Sequence, residues 1–265
     1  MSFQPILPFG GYSGWRFLKR TLDMQQNTFA RSAATPRLLA HFKEKIGTTN
    51  SVEALIDDRR LLQVALGAFG LDADLNNRAF IRKILEDGTQ DPEALANRLA
   101  DKRYRRFAAA FARPEGGLVT ARGAAFTDRI ITKFQAGAFQ EAVGAVDETM
   151  RLALNLQGAL GDLFSETTTN DARWYGIMGQ PPLRRIFETA LGLPASFASA
   201  DIDTQHQAFK DRARAALGTD TLDALNDPDA QEKLLRLYFA REAVSSQPSS
   251  SASIALSLLQ AARAY

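Results

Sequence analysis

Apolar residues recur at helical spacing along almost the whole chain. After a glycine-rich stretch at 10–14, Trp15, Leu18, Leu22 and Phe29 follow one another at intervals of three, four and seven. Intervals of three or four place side chains on one face of an α-helix, whereas half-buried strands alternate with a period of two. The pattern therefore predicts an all-α fold, a multi-helix array, with an amphipathic helix near its start.

Capping residues and prolines divide this pattern into separate helices. Asn50 with Glu53 has the spacing of a capping box, which predicts a helix that continues or kinks near 57–58 and ends at 69–70. Asp91-Pro92 predicts another helix start, because the aspartate caps the first turn and proline is tolerated there. The inner face of this helix is expected to contain Leu95, Leu99, Tyr104, Phe107 and Phe111.

The stretch at 113–117, Arg-Pro-Glu-Gly-Gly, interrupts the helical pattern and is the candidate hinge between two halves. From 121 to 154 the apolar period then continues for an unusual length, with one candidate interruption at Gly137. We interpret this part as one long or kinked helix. Further helices are predicted from Pro181-Pro182 to Gly192, at 203–217 and at 227–244.

Two stretches of the chain resemble each other, which predicts a duplicated helical unit. Residues 61–71 and 183–193 each combine an apolar helical pattern with a Gly-Leu ending. Each stretch is followed by a polar segment, an amphipathic segment and an Asp-Pro pair, Asp91-Pro92 or Asp227-Pro228.

The predicted organisation has five segments. They are an N-terminal segment and helix at 1–30, a first helical half at 31–116, a long connecting helix or helices at 117–165, a second helical half at 166–244, and a tether with a terminal helix at 245–265. The tether is predicted because 245–251 is rich in serine, and the short terminal helix is expected at 254–264.

Charge and composition remove several classes of function. The 265 residues include 32 basic and 30 acidic residues, a formal net charge of +2, so nothing requires nucleic acid as a partner. The absence of cysteine excludes disulfides, thiolate nucleophiles and cysteine-based metal sites. No apolar stretch approaches the roughly 20 residues of a transmembrane helix. No positive charge precedes Arg16, so we expect a cytoplasmic protein, or one exported by the flagellar route without a cleavable signal peptide.

The sequence also lacks a recognisable catalytic or cofactor-binding constellation. The only two histidines, His41 and His206, have no motif partner, and no nucleotide-binding glycine pattern or nucleophile elbow occurs. The oxygen-rich stretch at 72–76 fails as a calcium loop because its twelfth position is Lys83. We therefore expect a non-enzymatic protein with no cofactor and no metal.

Two clusters remain as candidate interaction sites. Lys102, Arg103, Arg105 and Arg106 alternate with aromatic residues and would bind phosphates or stack bases, or else form the solvated face of an amphipathic helix. The adjacent Trp174-Tyr175 is either a ligand platform or part of the core or of an interface.

Short motifs in both halves form a recognisable set. In the second half they are Trp174-Tyr175, Pro182-Leu183-Arg184 and Thr189-Ala190-Leu191-Gly192-Leu193-Pro194. In the first half they are Ile46-Gly47, Ser51-Val52-Glu53-Ala54-Leu55, Asp58-Arg59-Arg60-Leu61-Leu62, Ala68-Phe69-Gly70-Leu71, Asn97-Arg98-Leu99-Ala100-Asp101-Lys102-Arg103-Tyr104 and Ala110-Phe111. Over about 31–239, this set resembles an uncharacterised family of helical proteins encoded among flagellar genes in alphaproteobacteria. The resemblance implies association with the flagellum; it implies no activity, cofactor or catalytic residue.

Two hypotheses follow. The preferred one is a protein-interaction or accessory protein of flagellar assembly, export or motility, with flagellar proteins as partners and helix faces and the C-terminal segment as contact surfaces. The alternative is a helical small-molecule-binding protein or enzyme with a site between the two halves.

Overall fold

The computed structural model describes residues 3–31, 35–99, 101–119 and 123–245, and these residues form thirteen α-helices. The helices are α1 (Gly11–Ala30), α2 (Thr35–Lys45), α3 (Val52–Asp57), α4 (Arg59–Gly67), α5 (Arg78–Asp87), α6 (Leu95–Arg98), α7 (Arg103–Phe111), α8 (Ala124–Gly144), α9 (Glu148–Glu166), α10 (Asn170–Gly179), α11 (Pro181–Leu191), α12 (Ile202–Leu217) and α13 (Pro228–Ser245). Three short 3₁₀ helices lie at Asp72–Asn76, Ala195–Ser199 and Leu222–Asn226. Within the described ranges the only β-type pairing is an isolated bridge between Ala112 and Leu118. The predicted all-α class is therefore confirmed.

The described residues fall into two compact units. The first contains residues up to Leu7 together with Leu18–Arg151, and the second contains Pro8–Phe17 together with residues from Leu152 onward. These boundaries differ from the predicted halves, because the segment expected to connect the halves belongs mostly to the first unit.

The core of the first unit surrounds α4, which packs against α2 and α8. Leu62, Val64 and Leu66 of α4 are fully buried. The crossing with α8 is close: a Cβ on Gly137 would lie 3.1 Å from the backbone oxygen of Gly67. The residue that was predicted to interrupt the long helix therefore lets two helices approach each other.

Side-chain caps separate α3 from α4. Ser51 caps α3, because its Oγ accepts a hydrogen bond from Ala54 N at 3.1 Å; the predicted cap at Asn50 is off by one residue. Asp58 caps α4 by accepting from Leu61 N at 3.1 Å. Near 57–58, where a continuing or kinked helix was predicted, the chain instead forms two separate helices, and the cap at Asp58 starts the second.

The predicted long helix from 121 onward is two helices. α8 ends at Gly144, and α9 begins after Asp147, whose Oδ1 accepts a hydrogen bond from Thr149 N at 2.9 Å. An aspartate that accepts from the first free backbone N–H groups starts a new helix. The apolar period continues through this break, so periodicity alone concealed it.

The helix predicted from Asp91-Pro92 onward is also divided. Asp91 Oδ1 accepts a hydrogen bond from Glu93 N at 2.8 Å, but regular helix begins only with α6. Leu99 adopts an extended backbone conformation (φ −64°, ψ 137°), which ends α6 after four residues. α7 then begins separately at Arg103.

The loop at 113–117 lies inside the first unit and is bound to α5. Gly117 N donates to Leu85 O at 3.0 Å, and a Cβ on Gly116 would overlap Glu86 O. Gly116 also has a φ of +104°, which favours glycine. The predicted hinge at this loop is corrected: it is an anchored turn, and the unit boundary follows Arg151.

In the second unit, α11 packs against α10, α12 and α13. The interior is aromatic and aliphatic, with Leu183, Phe187, Phe209, Leu234 and Tyr238 fully buried. Gln180 and Gly192 flank α11, and Gly192 ends it in the left-handed conformation (φ +67°). The predicted helix opened by Pro181-Pro182 is confirmed.

The duplicated stretches share one local architecture. α4 is followed by Gly70 (φ +67°), the 3₁₀ helix Asp72–Asn76 and α5. α11 is followed by Gly192 (φ +67°), the 3₁₀ helix Ala195–Ser199 and α12. The likeness ends at the Asp-Pro pairs, because the first precedes the four-residue α6 whereas the second starts the 18-residue α13.

Across the described residues, none of the helices combines the length and the apolar character that membrane crossing requires. Of the predicted tether and terminal helix at 245–265, Ser245 is the last residue of α13, and 246–265 lie outside the described residues.

Candidate functional site

The cationic cluster, Lys102, Arg103, Arg105 and Arg106, lies at the start of α7, and its charges face groups of the protein itself. Arg103 donates to Asp101 through Nε (3.0 Å to Oδ1) and Nη2 (2.7 Å to Oδ2) and also donates to Gly70 O. Although burial opposes it, this pairing lowers the pKa of the Asp101 carboxyl and raises the pKa of Arg103. Arg103 therefore ties α7 to the turn after α4.

The other members of the cationic cluster also bind locally. Lys102 Nζ donates to Asn97 O at 3.0 Å and to Leu99 O at 2.9 Å. These carbonyls close α6, where a cation is favourable. Arg105 Nε donates to Asn97 Oδ1 at 3.2 Å, and Arg106 is near enough to Asp101 to lower the pKa of its carboxyl. The side chains of the cationic cluster thus bind neighbouring parts of the protein. Neither of the two predicted alternatives, ligand binding or a solvated helix face, included this role.

Tyr104 lies within this cluster and binds the 3₁₀ helix Asp72–Asn76. Its hydroxyl donates to Asp74 Oδ2 at 2.5 Å, and its ring makes an edge contact with Phe80 at 5.2 Å between centroids. Burial and the nearby Asp74 carboxylate raise the pKa of Tyr104 to about 12. The ring of Tyr104, which was a candidate for stacking on bases, is therefore packed against Phe80.

A pair of carboxyl groups lies close by in the first unit. Asp72 and Glu141 share a hydrogen bond, and the pKa of each carboxyl is raised, first by desolvation. The Asp72 charge raises the pKa of Glu141 further, while Arg103 and Arg151 oppose the two shifts. The hydrogen bond between the two side chains joins α8 to the 3₁₀ helix Asp72–Asn76.

His41 takes part in a comparable contact. Its Nε2 lies 2.6 Å from Asp58 Oδ2, and Asp58 also caps α4. Although burial opposes it, the hydrogen bond from His41 lowers the pKa of the Asp58 carboxyl. The histidine positions a helix cap.

Trp174 is a core residue of the second unit. It is fully buried, its Nε1 donates to Asp220 O at 2.9 Å, and its ring makes an edge contact with Phe187 at 5.8 Å between centroids. A cavity of about 50 Å³ lies beside it, far below the roughly 300 Å³ of the smallest ligand sites. The role of contact residue is corrected for Trp174, and the core interpretation holds.

Tyr175 is 41% exposed, and a stacking contact fixes the orientation of its ring. Its ring lies parallel to that of His206 on α12, with 4.5 Å between centroids and 9° between planes. Its hydroxyl donates to Asp203 Oδ1 at 3.2 Å. Partial burial and this hydrogen bond raise the pKa of the Tyr175 phenol. One ring face is therefore fixed against the protein while much of the side chain meets solvent.

Charged and apolar residues surround this aromatic pair. Asp171 accepts a hydrogen bond from Lys210 Nζ at 2.9 Å and lies 3.3 Å from His206 Nε2, and these two partners lower the pKa of its carboxyl. Ile202 is 53% exposed and lies four residues before His206, on the same face of α12. We call this set the Tyr175 surface; it comprises Asp171, Tyr175, Ile202, Asp203, His206 and Lys210.

The Tyr175 surface has the composition of a protein contact site. A rigid exposed aromatic and an exposed aliphatic residue lie among charges of both signs, a combination common at interface centres and rims. Sequence reasoning found Tyr175 but missed Ile202, His206 and Lys210. Their only signal was a spacing of four residues along one helix, and nothing local indicates that this helix meets α10.

Among the described residues, no group of three or more His, Asp or Glu side chains has the geometry to hold a metal ion. The charged side chains of the two candidate sites instead contact opposite charges, neutral side chains or backbone carbonyls of the protein.

Comparison with known proteins identifies two similarities. A model of a family described as protein of unknown function (DUF1217) matches residues 68–231. The crystal structure of protein AGR_C_984 from Agrobacterium tumefaciens is similar with a TM-score of 0.73 and 23% sequence identity, covering 92% of this chain and 98% of that chain. At this identity the likeness concerns the fold. A search of curated proteins found no match.

Proposed function

We propose that this chain, which belongs to the DUF1217 family of proteins of unknown function, is a non-enzymatic protein that binds another protein. The Tyr175 surface is the contact site. The observation that carries the proposal is the 41% exposed Tyr175 stacked on His206, with the 53% exposed Ile202 one helical turn before His206 on α12.

The geometry supports binding because the aromatic ring is already fixed. A ring stacked on His206 and hydrogen-bonded through its hydroxyl loses little conformational freedom when a partner covers it. Ile202 adds apolar area that gains free energy when it is removed from water. Asp171, Asp203 and Lys210 would orient the partner through charge.

The proposed partner is a component of the flagellum. Support comes from the motif resemblance to proteins encoded among flagellar genes, which includes Trp174-Tyr175. In this proposal Trp174 builds the core that holds α10 in place, and the neighbouring Tyr175 makes the contact.

The test is affinity capture of the tagged chain from motile cells, with quantification of flagellar proteins. We expect the unaltered chain to enrich them. Tyr175→Ala should lower the affinity about 30-fold, the effect of losing an interface hot spot of about 2 kcal/mol. Ile202→Asp, which places a charge in the apolar part of the contact, should reduce capture further.

Val146→Asp is the matched control, since Val146 is 46% exposed but belongs to the first unit. It should leave capture unchanged. Equal loss with all three variants would show a non-specific effect, and capture of no flagellar component by the unaltered chain would refute the proposed partner class. Binding of a metabolite by the purified chain, with no protein captured, would favour the small-molecule alternative.

A further inference from the structure

Residues 3–7 precede α1 and bind to it as a non-helical segment of the first unit. Phe3 contacts Phe29 and Ile6 contacts Gln25, so the segment runs antiparallel to α1. Prolines at positions 5 and 8 favour an extended backbone, because the residue before a proline is restricted to that conformation. The segment is therefore held in extended form by its own sequence before it makes any contact.

Gln25 of α1 binds the backbone of this segment. Its Oε1 accepts a hydrogen bond from Ile6 N at 2.8 Å, and its Nε2 donates to Ile6 O at 3.1 Å. Paired residues of antiparallel strands exchange two hydrogen bonds in the same way. Gln25 Nε2 also donates to Thr21 Oγ1 at 2.9 Å, which fixes the orientation of the carboxamide. Because the Ile6 side chain is 57% exposed, this contact recognises the main chain and tolerates other side chains at position 6.

An aromatic pocket binds the side chain of Phe3. The ring of Phe3 makes an edge contact with Phe29 at 5.3 Å between centroids and lies 6.1 Å from the ring of Phe139 on α8. Phe29 and Phe139 also contact each other, at 5.9 Å. The next residue but one, Pro5, is buried as well. We call Gln25, Phe29 and Phe139 the Gln25 site; it fits an aromatic residue two positions before a proline.

The Gln25 site is built around an occupant. Gln25 is only 2% exposed and Phe139 is fully buried while residues 3–7 are bound. If the segment left, the carboxamide would lose two hydrogen bonds and the two rings would lose apolar contacts. Another extended peptide with the same pattern would restore both kinds of contact.

We propose that the Gln25 site recognises an extended peptide of a partner protein, with an aromatic residue two positions before a proline, and that residues 3–7 are its intramolecular occupant. Main-chain hydrogen bonds combined with a side-chain pocket are a recurrent way of binding extended peptides. This site belongs to the first unit and is independent of the Tyr175 surface, which belongs to the second.

Competition with the attached segment decides which peptide can bind. Attachment to α1 gives residues 3–7 an effective concentration on the order of millimolar at the site. The same segment of a second copy makes the same contacts at a lower concentration, so it cannot displace the attached one. A partner peptide can displace it by adding contacts, for example through the side chain at the exposed position 6.

The test is binding of a fluorescein-labelled peptide, Phe-Gln-Pro-Ile-Leu-Pro (residues 3–8), to the full chain, followed by fluorescence anisotropy. Phe3→Ala in the chain weakens the attached competitor and should raise the affinity for the peptide at least about tenfold. Phe9→Ala is the matched control, since Phe9 is 61% exposed and belongs to the second unit. It should bind the peptide as the unaltered chain does, and equal affinities of all three chains would overturn the proposal.

Changes in the peptide test the contacts without altering the protein. A peptide with an N-methylated isoleucine lacks the N–H that Gln25 accepts, and it should bind the Phe3→Ala chain about tenfold more weakly. A peptide with alanine in place of phenylalanine should also bind about tenfold more weakly, because the aromatic pocket stays empty. Equal affinities of the N-methylated and unmodified peptides would contradict the recognition by Gln25.

Hydrogen exchange of the unaltered chain tests the displacement without any substitution. Millimolar peptide should accelerate exchange of the Ile6 amide while the amides of α1 stay protected. Unchanged exchange at Ile6 would overturn the proposal. A dimer of the unaltered chain that dissociates when the peptide is added would overturn it as well, since the occupant would then come from a second copy.

Discussion

The cationic cluster and the Tyr175 surface differ in what the fold leaves for a partner. In the first, Lys102 and Arg103 donate to carbonyls of neighbouring turns, so that their charges hold the first unit together. In the second, Tyr175 also has partners, yet it remains 41% exposed, and Ile202 of α12 is exposed as well. Whether a cluster that looks functional in sequence is available to a partner therefore depends on which groups of the folded protein contact it.

The largest expected effect is the difference in stability between variants of two adjacent residues of α10, Trp174 and Tyr175. Trp174→Ala should destabilise the second unit by about 3–5 kcal/mol, because it empties a buried aromatic site and removes one of the two hydrogen bonds that Asp220 O accepts. Tyr175→Ala should cost less than about 1 kcal/mol, since that side chain is largely exposed. Thermal unfolding followed by the fluorescence of Trp15, which belongs to the second unit, measures the first variant.

For Tyr175→Ala the unfolding temperature should stay close to that of the unaltered chain while partner capture falls. A large stability loss in Tyr175→Ala would place this residue in the core with Trp174 and remove the contrast between the two neighbours.

The sequence predicted the helices well because their signals are local. The start of α11 at Pro181 and its end at Gly192 depend on residues within one turn, and both were anticipated, whereas the cap at Asp58 was not. The break before α9 was missed, since Asp147 acts as a cap there while the apolar period continues unchanged through it.

The candidate sites were less predictable because their partners are distant in sequence. Arg103 reaches Gly70, 33 residues away, and Tyr175 reaches Asp203, 28 residues away. Charge spacing within α7 contains no information about a carbonyl that another turn supplies. The same reason explains why Ile202 and His206 were not recognised.

A smaller effect should separate two arginines of the cationic cluster. Arg103→Ala should cost about 1–2 kcal/mol, since it removes charge-assisted hydrogen bonds to Asp101 and to Gly70 O. Arg105→Ala should cost less than about 0.5 kcal/mol, because an exposed side chain loses one hydrogen bond to Asn97.

Hydrogen exchange of peptides that contain α7 and the 3₁₀ helix Asp72–Asn76 measures both variants locally. Exchange should accelerate in Arg103→Ala alone. If hydrogen exchange is the same in the two variants, Arg103 is a solvated charge, and the cationic cluster is again a candidate binding site.

The smallest effect concerns the tyrosine of each region. Tyr104→Phe should cost about 1 kcal/mol by removing the hydrogen bond to Asp74. The pKa of Tyr104 is about 12, above its ordinary value of 10, so the folded state retains a proton that the unfolded state loses first. The stabilisation is therefore fully present below about pH 10 and is lost as the pH rises through 12.

Ultraviolet absorbance of the phenolates measures this shift among the five tyrosines of the chain. The latest-titrating tyrosine should disappear in Tyr104→Phe and persist in Tyr175→Phe, although Asp203 also raises the pKa of Tyr175. Identical curves for the unaltered chain and Tyr104→Phe would mean that Tyr104 does not bind Asp74 in solution. Tyr104 would then not hold α7 to the 3₁₀ helix Asp72–Asn76. The cationic cluster would no longer differ from the Tyr175 surface in being bound to the rest of its unit.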